Sequence, residues 1–425
     1  MEKDKYRLSR FMYILEAAFE YFISLMITDA YLAKISTEIG ISDATTGIIS
    51  TVGSLASCFQ ILAIFLFANR NVKKPLSILY PLARLGYIFL YAIPFLNIST
   101  TIKTILFVTA LFLGHLIEHA IHSPKINWFM SLVDDNKRGS FTANKEIVSL
   151  LGGMTFSYTM GFIVDKFEAA GKNREAFIAC GITIFVLTVL HTSTLLISKE
   201  KPLPEKEKIP MDKLLRELVK DTTVFKVIMI SVLWTVATHL SVPFQSTYHI
   251  KEMGFSMTFI SVLSMVYSFT RVLVSKPLGR YADKHTFTKM LNFCFTAALA
   301  AFAMYTCNVP SNGMVFTILY KMFYGIAMAG INSGSINLIY EHVSKEKRVC
   351  ALAMKNAIVG LTGFGTTLLA SRVVDKIQVN GNTFFGIPVY AQQVMSMFSV
   401  ILVIVILIYL NTTIRKLHVQ KNADK

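Results

Sequence analysis

Charged residues are scarce in this chain of 425 residues, where they make up 16% of the sequence. A soluble domain usually carries about 25%, so the composition excludes a soluble protein of this length and indicates that lipid surrounds most of the chain. The net charge is +16, but the positive residues occur in short clusters between apolar runs. That distribution is typical of membrane loops and argues against nucleic-acid binding.

Cysteine is also rare. The five cysteines are odd in number and scattered along the chain, so the sequence predicts no disulfide framework. A separate hydrophobic leader is lacking as well, because the polar start from Met1 to Arg10 leads directly into a full-length apolar run. This arrangement argues against a cleaved signal peptide.

Long apolar runs make up much of the sequence. A bilayer core of about 30 Å takes roughly 20 helical residues to cross. Runs of that length are predicted at 11–33, 43–67, 75–97, 102–126, 141–163, 176–198, 223–249, 256–278, 287–307, 313–342, 351–373 and 389–411. The predicted fold is an all-α membrane protein with twelve transmembrane helices in two bundles of six. The bundles are expected at 1–198 and 223–425, joined by a charged cytosolic linker at 199–222.

The two predicted bundles share residues at a constant offset of 210, as from Lys137 to Lys347. At the same offset, the segment 164–166, Val-Asp-Lys, recurs at 374–376. An offset held through a polar loop and an apolar run indicates that one ancestral membrane half was duplicated. A pseudo-symmetric, two-bundle transporter is therefore the first hypothesis.

Lysine and arginine set the predicted orientation. They are roughly fourfold more frequent at the termini and in the loops after even-numbered spans than in the loops after odd-numbered spans. Both termini are therefore expected in the cytosol, in a multi-pass protein of the plasma (inner) membrane.

The segment after predicted span 8 runs from Gly279 through Arg280 to Asp283 and Lys284. It resembles the signature loop of the major facilitator superfamily, in which a glycine is followed four residues later by aspartate and then by arginine or lysine. The equivalent loop after span 2 has Asn69 where the family usually carries aspartate. With twelve spans and duplicated halves, the chain resembles a transporter of this superfamily, of the bacterial type.

The resemblance implies transport by alternating access, with spans 1, 4, 7 and 10 around a central cavity. It also implies a gating contact in which Asp283 meets the start of span 5, near Arg138. A carboxylate gains there from the helix dipole and from a neighbouring arginine. The alternative is that Asp283 and Lys284 are ordinary loop charges.

Ionisable residues inside spans are functional candidates, because charge at the bilayer centre costs roughly 2.5 to 3.5 kcal/mol. Glu16 and Glu20 in span 1 lie four residues apart, on one helical face. Two such carboxylates repel each other in a low dielectric, so one of them is expected to hold its proton near neutral pH.

Span 4 carries a polar stripe of His115, Glu118, His119 and His122, spaced i, i+3, i+4 and i+7. Glu118 and Glu20 are predicted at matching depth, roughly 12 and 13 Å from the cytosolic side. The stripe favours a proton relay or a substrate contact. Three alternatives stay open, namely packing alone, a bound or transported metal ion, and the inverzincin protease pattern that His-x-x-Glu-His also matches.

Other polar groups give weaker predictions. Asp29 and His239 are candidates for an outer gate or for contact with the substrate. Gln245 follows Pro243, which is expected to interrupt span 7 and free backbone carbonyls. Further candidates for substrate contact are Lys321, Asn332, Arg84 and Arg271.

The predicted function is secondary active transport of a small solute, with proton coupling through Glu16, Glu20, Glu118 and His119. The protein is expected to be a monomer in the lipid bilayer and not an enzyme, with no cofactor or structural metal. One alternative is efflux of cationic or amphipathic compounds. It is disfavoured because the run 152–161 has no proline, whereas drug/proton antiporters of the superfamily usually carry a glycine- and proline-rich motif in span 5. Another alternative is a membrane sensor or scaffold that transports nothing.

Overall fold

The computed structural model describes residues 5–59, 71–133, 138–201, 221–343 and 348–417, and these are almost entirely helical. The chain divides into two compact units. The first comprises Met1–Glu207 with Gly254–Ser261, and the second comprises Lys208–Met253 with Val262–Lys425. Most of the predicted linker (202–220) and the end of predicted span 2 with the start of the following loop (60–70) lie outside the described residues.

The described helices of the first half follow the predicted spans, with breaks in spans 1 and 2. They are α1 Arg7–Met26, α2 Asp29–Ile39, α3 Asp43–Ser50, α4 Val52–Ser57, α5 Lys73–Leu90, α6 Thr100–Met130, α7 Arg138–Ala169 and α8 Asn173–Ile197, with a 3₁₀ turn at Ile93–Phe95. Predicted span 1 is split between α1 and α2. Asp29 begins α2 with φ 46°, a backbone conformation that a continuous right-handed helix cannot contain.

The second half contains α9 Thr222–Ser241, α10 Gln245–Thr247, α11 Met257–Lys284, α12 Phe287–Thr306, α13 Gly313–His342, α14 Arg348–Val379 and α15 Ala391–Thr412. A 3₁₀ turn at Val242–Phe244 separates α9 from α10, and a π-helical turn at Tyr248–Glu252 follows. The predicted interruption at Pro243 is thereby confirmed. Two short antiparallel strands, β1 Thr383–Phe384 and β2 Ile387–Pro388, form a hairpin between α14 and α15.

Ten helical stretches among the described residues are long and apolar enough to cross a membrane, with mean hydropathies from 1.4 to 2.6. Helix α5 is not among them, because its 18 residues include Lys73, Lys74 and Arg84. The all-α membrane fold is confirmed, while the count of twelve spans stays a prediction.

Small residues let helices of one unit approach closely. In the second unit, a Cβ added at Gly330 on α13 would lie 2.5 Å from the Sγ of Cys294 on α12. In the first unit, a Cβ at Gly153 on α7 would lie 2.3 Å from the ring of Tyr21 on α1. A larger residue at either position would force the neighbouring side chain to move, because real Cβ atoms do not come so close to their neighbours.

The start of α11 belongs to the first unit, where it packs against the end of α7. The carboxylate of Asp165 accepts hydrogen bonds from the backbone N–H groups of Met257 at 2.9 Å and Thr258 at 2.8 Å. One turn along, Ser261 Oγ donates to the carbonyl of Ser157 at 2.9 Å. Asp165 therefore satisfies N–H groups that a helix start leaves unpaired, with an anion at the positive end of the dipole.

One predicted boundary is wrong. The signature segment from Gly279 to Lys284 was expected as a loop, but it forms the last turns of α11. Arginine, lysine and alanine are good helix formers, so the backbone hydrogen-bond ladder continues after the apolar run has ended.

Candidate functional site

A buried ion cluster joins α1 to α6 in the first unit. Glu16 and Glu20 project from the same face of α1, and Lys125 Nζ of α6 donates to Glu16 Oε1 at 2.8 Å and to Glu20 Oε2. Lys125 is 1% exposed and Glu16 is fully buried. A buried ammonium needs such compensation, because desolvation of an unpaired charge costs several kcal/mol.

Helix α8 extends this cluster with His191. Its Nε2 lies 2.7 Å from Glu16 Oε1, so Glu16 Oε1 contacts both the ammonium and the imidazole. His191 is fully buried, and its ring lies 4.9 Å from that of Tyr80 on α5. Glu16 Oε2 and His191 Nδ1 have no hydrogen-bond partner within the described part of the chain.

A second ion pair links α5 to α6. Arg84 Nε lies 3.5 Å from Glu118 Oε1, and Tyr87 donates its hydroxyl to Glu118 Oε2 at 2.8 Å. The Tyr87 hydroxyl also lies 3.3 Å from His115 Nδ1. Glu118 is therefore oriented by a cation on one oxygen and by a phenol on the other.

The ring of Tyr80 lies between the two ion clusters. Its centroid is 4.9 Å from Lys125 Nζ and 5.1 Å from Arg84 Cζ. The negative face of an aromatic ring attracts cations. Tyr80 therefore helps to hold two positive charges in the interior of one helix bundle.

The carboxylates and the cations of the site differ in number and in exposure. It contains three carboxylates, Glu16, Glu20 and Glu118, against two permanent cations, Lys125 and Arg84. Both cations are buried, whereas the Glu20 and Glu118 side chains are 25% and 21% exposed. The site therefore has one carboxylate more than it has permanent cations, and its partly exposed charged groups are the carboxylates Glu20 and Glu118.

The structure brings several of the predicted residues together. Glu16, Glu20, Glu118 and His115 belong to the two clusters, and His122 Nδ1 lies 4.0 Å from Glu20 Oε1. His119 neighbours His115, with ring centroids 6.3 Å apart. The expected repulsion between Glu16 and Glu20 is offset by Lys125, so it no longer argues that one of this pair must be protonated.

Two candidate residues of the second unit, Gln245 and Lys321, both lie near Tyr320. Gln245 Nε2 donates to the Tyr320 hydroxyl at 2.8 Å, and Lys321 Nζ lies 5.6 Å from the same ring. His239 Nδ1 lies 3.0 Å from the carbonyl of Thr235, one turn earlier in α9. Asn332 is exposed on α13, and Asp29 is exposed at the start of α2 in the first unit. The outer-gate pairing of Asp29 with His239 stays a prediction.

The gating contact also stays a prediction. Gly279, Arg280 and Lys284 are exposed on the last turns of α11. The side chains of Asp283 and Arg138 lie outside the described residues, as does the whole of Asn69.

Four members of the site were missed by the sequence analysis, namely Lys125, His191, Tyr80 and Tyr87. Lys125 follows His122 by three residues, so it continues the polar stripe of span 4. His191 is an ionisable residue inside a predicted span, which is itself a signal of function. The two tyrosines carry no such signal, because aromatic residues in spans usually only pack.

Within the described residues, no group of three or more histidine, cysteine, aspartate or glutamate side chains is arranged to hold a metal ion. The His115-x-x-Glu118-His119 pattern instead places Glu118 against Arg84 and Tyr87.

A protein-family model described as the Major Facilitator Superfamily matches residues 11–367. The chain belongs to the major facilitator superfamily. This membership makes it a multi-pass membrane transporter, and its helical fold agrees with that of solved members. No curated protein matches the sequence.

Three solved transporters are similar to this superfamily member in fold. The nucleoside transporter NupG has a TM-score of 0.71 at 13% identity, covering 94% of this chain and 98% of its own. The POT family transporter PepTSo has a TM-score of 0.72 at 12% identity, covering 97% and 100%. A D-xylose-proton symporter has a TM-score of 0.68 at 14% identity, covering 94% and 97%. Identities this low show a shared fold and not a shared substrate.

Proposed function

We propose that this chain is a proton-coupled secondary transporter of a small solute, working by alternating access in the plasma membrane with both termini in the cytosol. One observation carries the proposal. Three carboxylates share two permanent cations inside one bundle, and the partly exposed members are Glu20 and Glu118. The unmatched negative charge is stabilised by one proton, which these two groups can exchange with water.

The other residues position these two carboxylates. Lys125 holds Glu20 next to the buried Glu16, while Arg84 and Tyr87 hold Glu118. Protonating Glu20 weakens its attraction to Lys125, and protonating Glu118 weakens its attraction to Arg84. Either change alters the contacts between α1, α5 and α6, which couples the proton to the conformation of the bundle.

The test uses Glu20→Gln and Glu118→Gln, which keep the side-chain shape and remove the titration. Purified protein in proteoliposomes would be screened with sugars, nucleosides, amino acids and organic cations. The measurements are solute accumulation under an imposed pH gradient and exchange of preloaded solute without one. Glu175→Gln is the matched control, because Glu175 is an exposed carboxylate in the first turn of α8.

Both site variants are expected to lose accumulation against a gradient and to retain exchange, while Glu175→Gln behaves as wild type. If both site variants accumulate solute normally, the proposed coupling site is wrong. A purely structural role would instead lower thermal stability and leave transport per folded molecule unchanged.

A second candidate function is efflux of cationic or amphipathic compounds. The specific observation in its favour is that the accessible ionisable groups of the site are acidic, while its permanent cations are buried. A lipophilic cation added to proteoliposomes with an internal acid load would then release protons in the wild type. The Glu20→Gln protein would not do so. Solute entry together with protons would instead support the first function.

A further inference from the structure

A rigid hairpin joins α14 to α15 in the second unit. In β1 and β2, Thr383 pairs with Pro388 and Phe384 pairs with Ile387. The two residues of the turn, Phe385 and Gly386, have φ values of 49° and 78°. Positive φ at both positions is the type I′ geometry, which matches the twist of two paired strands. The hairpin therefore has a defined conformation that fixes the direction of its tip.

The base of the hairpin is fixed as well. Val389 N–H donates to the carbonyl of Asn382 at 2.8 Å. Tyr390 N–H donates to Gln393 Oε1 at 3.1 Å, and Gln393 Nε2 donates to the carbonyl of Thr306, at the end of α12. The hairpin is thus held against the ends of two long apolar helices.

The tip presents apolar side chains outward. Phe385 is 91% exposed and Ile387 is 66% exposed. The sequence has no charged residue between Lys376 and Arg415, so the hairpin carries no charge of its own. Phenylalanine is also unfavourable at positive φ, because its Cβ crowds the backbone there. The ring of Phe385 packs edge to face on that of Phe384, with centroids 4.5 Å apart, and this contact still leaves most of the Phe385 side chain exposed.

The duplicated first half shows that the connection needs no hairpin. Gly171 and Gly381 are separated by the repeat offset of 210, and both have φ 70°. In the first half the next helix begins at Asn173, whereas in the second half it begins at Ala391. The hairpin segment is therefore an insertion in one half, and the short connection already joins two such helices.

We propose that this hairpin is a lipid anchor, which inserts Phe385 and Ile387 at the boundary between headgroups and acyl chains. The helices α14 and α15 are both apolar enough to span a membrane, so their adjoining ends place the hairpin at the bilayer surface. The paired strands satisfy backbone groups that would be costly in a low dielectric, and aromatic side chains favour the interface. Phosphatidylcholine and phosphatidylglycerol bilayers supply this boundary.

The base of the hairpin contacts the π-helical turn that follows α9 and α10. Tyr390, at the base of the hairpin, packs edge to face on Tyr248, with ring centroids 5.5 Å apart. Tyr248 begins the π-helical turn and donates its hydroxyl to the carbonyl of Asn308 at 2.9 Å. The base of the hairpin is therefore in direct contact with the π-helical turn.

The test is Phe385→Trp in proteoliposomes of phosphatidylcholine and phosphatidylglycerol, with Lys172→Trp as the control in the equivalent short connection. Each difference spectrum against wild type isolates the added tryptophan from Trp128 and Trp234. Lipids brominated near the ester end of their acyl chains quench tryptophan at the interface, and iodide quenches tryptophan in water. Phe385→Trp replaces one exposed aromatic residue with another, so folding should be unaffected.

In bromolipid vesicles the Phe385→Trp signal is expected to fall to roughly half while resisting iodide, as for an apolar side chain buried in the interface. The Lys172→Trp signal should respond to iodide and little to bromolipid. Equal iodide quenching of both variants would overturn the anchor in favour of a hairpin in water. Protection from both quenchers that rises with protein density would also overturn it, in favour of contact with a second copy.

Discussion

Lys125 compensates the negative charge that the candidate site places inside the folded bundle. It is nearly fully buried and lies against both carboxylates of α1. Without its ammonium, two acids would face each other beside a buried imidazole. The residue therefore stabilises the fold and also sets the charge balance on which proton exchange depends.

Lys125→Met is expected to destabilise the protein by about 3 to 5 kcal/mol, the usual cost of removing one partner of a buried ion pair. Thermal unfolding in detergent measures the loss. Adding Glu16→Gln removes the fully buried one of the two carboxylates that Lys125 compensates, so the double variant should recover part of the lost stability. Losses that simply add would show that Glu16 and Lys125 are not coupled.

Sequence periodicity predicted the three acids of the site and the histidines of span 4, but not most of their partners. The spacing of Glu16 and Glu20 and the stripe through Glu118 follow from helix geometry alone. His191 could not be paired with Glu16, because this contact joins residues 175 positions apart. Helix packing determines which faces of α1, α5, α6 and α8 meet. Those contacts cannot be read from the pattern of a single sequence.

At the scale of elements, one carboxylate on the end of α7 caps the start of α11. Asp165 accepts two backbone hydrogen bonds from the first turn of α11. The position is duplicated, and its counterpart Asp375 is exposed near the end of α14. The two aspartates therefore share a sequence context but differ in their structural role.

Asp165→Ala is expected to cost about 1 kcal/mol, the typical loss when a capping side chain is removed from a helix start. Asp375→Ala, the matched control, should change stability by less than about 0.5 kcal/mol, as surface substitutions usually do. Thermal unfolding of both variants gives the comparison. Equal losses of stability in the two variants would mean that capping by Asp165 does not stabilise the start of α11.

Helix ends were the least predictable feature of the elements. Apolar content ends near residue 278, yet α11 continues to Lys284 because its next residues favour helix. The hairpin between α14 and α15 was not predicted either. Phe385 occupies a turn position that usually holds asparagine or glycine, so no residue pattern predicted it.

At the scale of the whole molecule, the duplication was the most reliable signal in the sequence. Gly171 and Gly381 share both the repeat offset and a φ of 70°. The repeat therefore extends to backbone conformation as well as to residue type.

The repeat does not extend to the ion clusters. At the offset of 210, Ser335 stands at the position equivalent to Lys125, and Met328 stands at the position equivalent to Glu118. The second half therefore has neither the ammonium nor the carboxylate at these positions. Matching helices differ in charge between the halves, so the repeat by itself does not predict the candidate site.

The proposed orientation of the whole chain predicts where reporters will be found. A reporter inserted after Lys206 is expected in the cytosol and one after Lys172 outside, because the positive residues are roughly fourfold enriched on the cytosolic side. Protease protection in intact cells and in inverted vesicles measures both positions. An external reporter after Lys206 would reverse the topology and place the lipid anchor in the opposite leaflet.

The irregular turns that follow α9 affect the length of this membrane span. Between Val242 and Glu252 the backbone passes through 3₁₀, α and π spacing in succession. These spacings differ in rise, about 2.0 Å per residue in a 3₁₀ helix against 1.5 Å in an α-helix. The three residues of the 3₁₀ turn therefore span about 1.5 Å more of the axis than three α-helical residues would. Pro243 has no N–H group and its ring would clash with the preceding turn of an α-helix, so it keeps the span at this greater length.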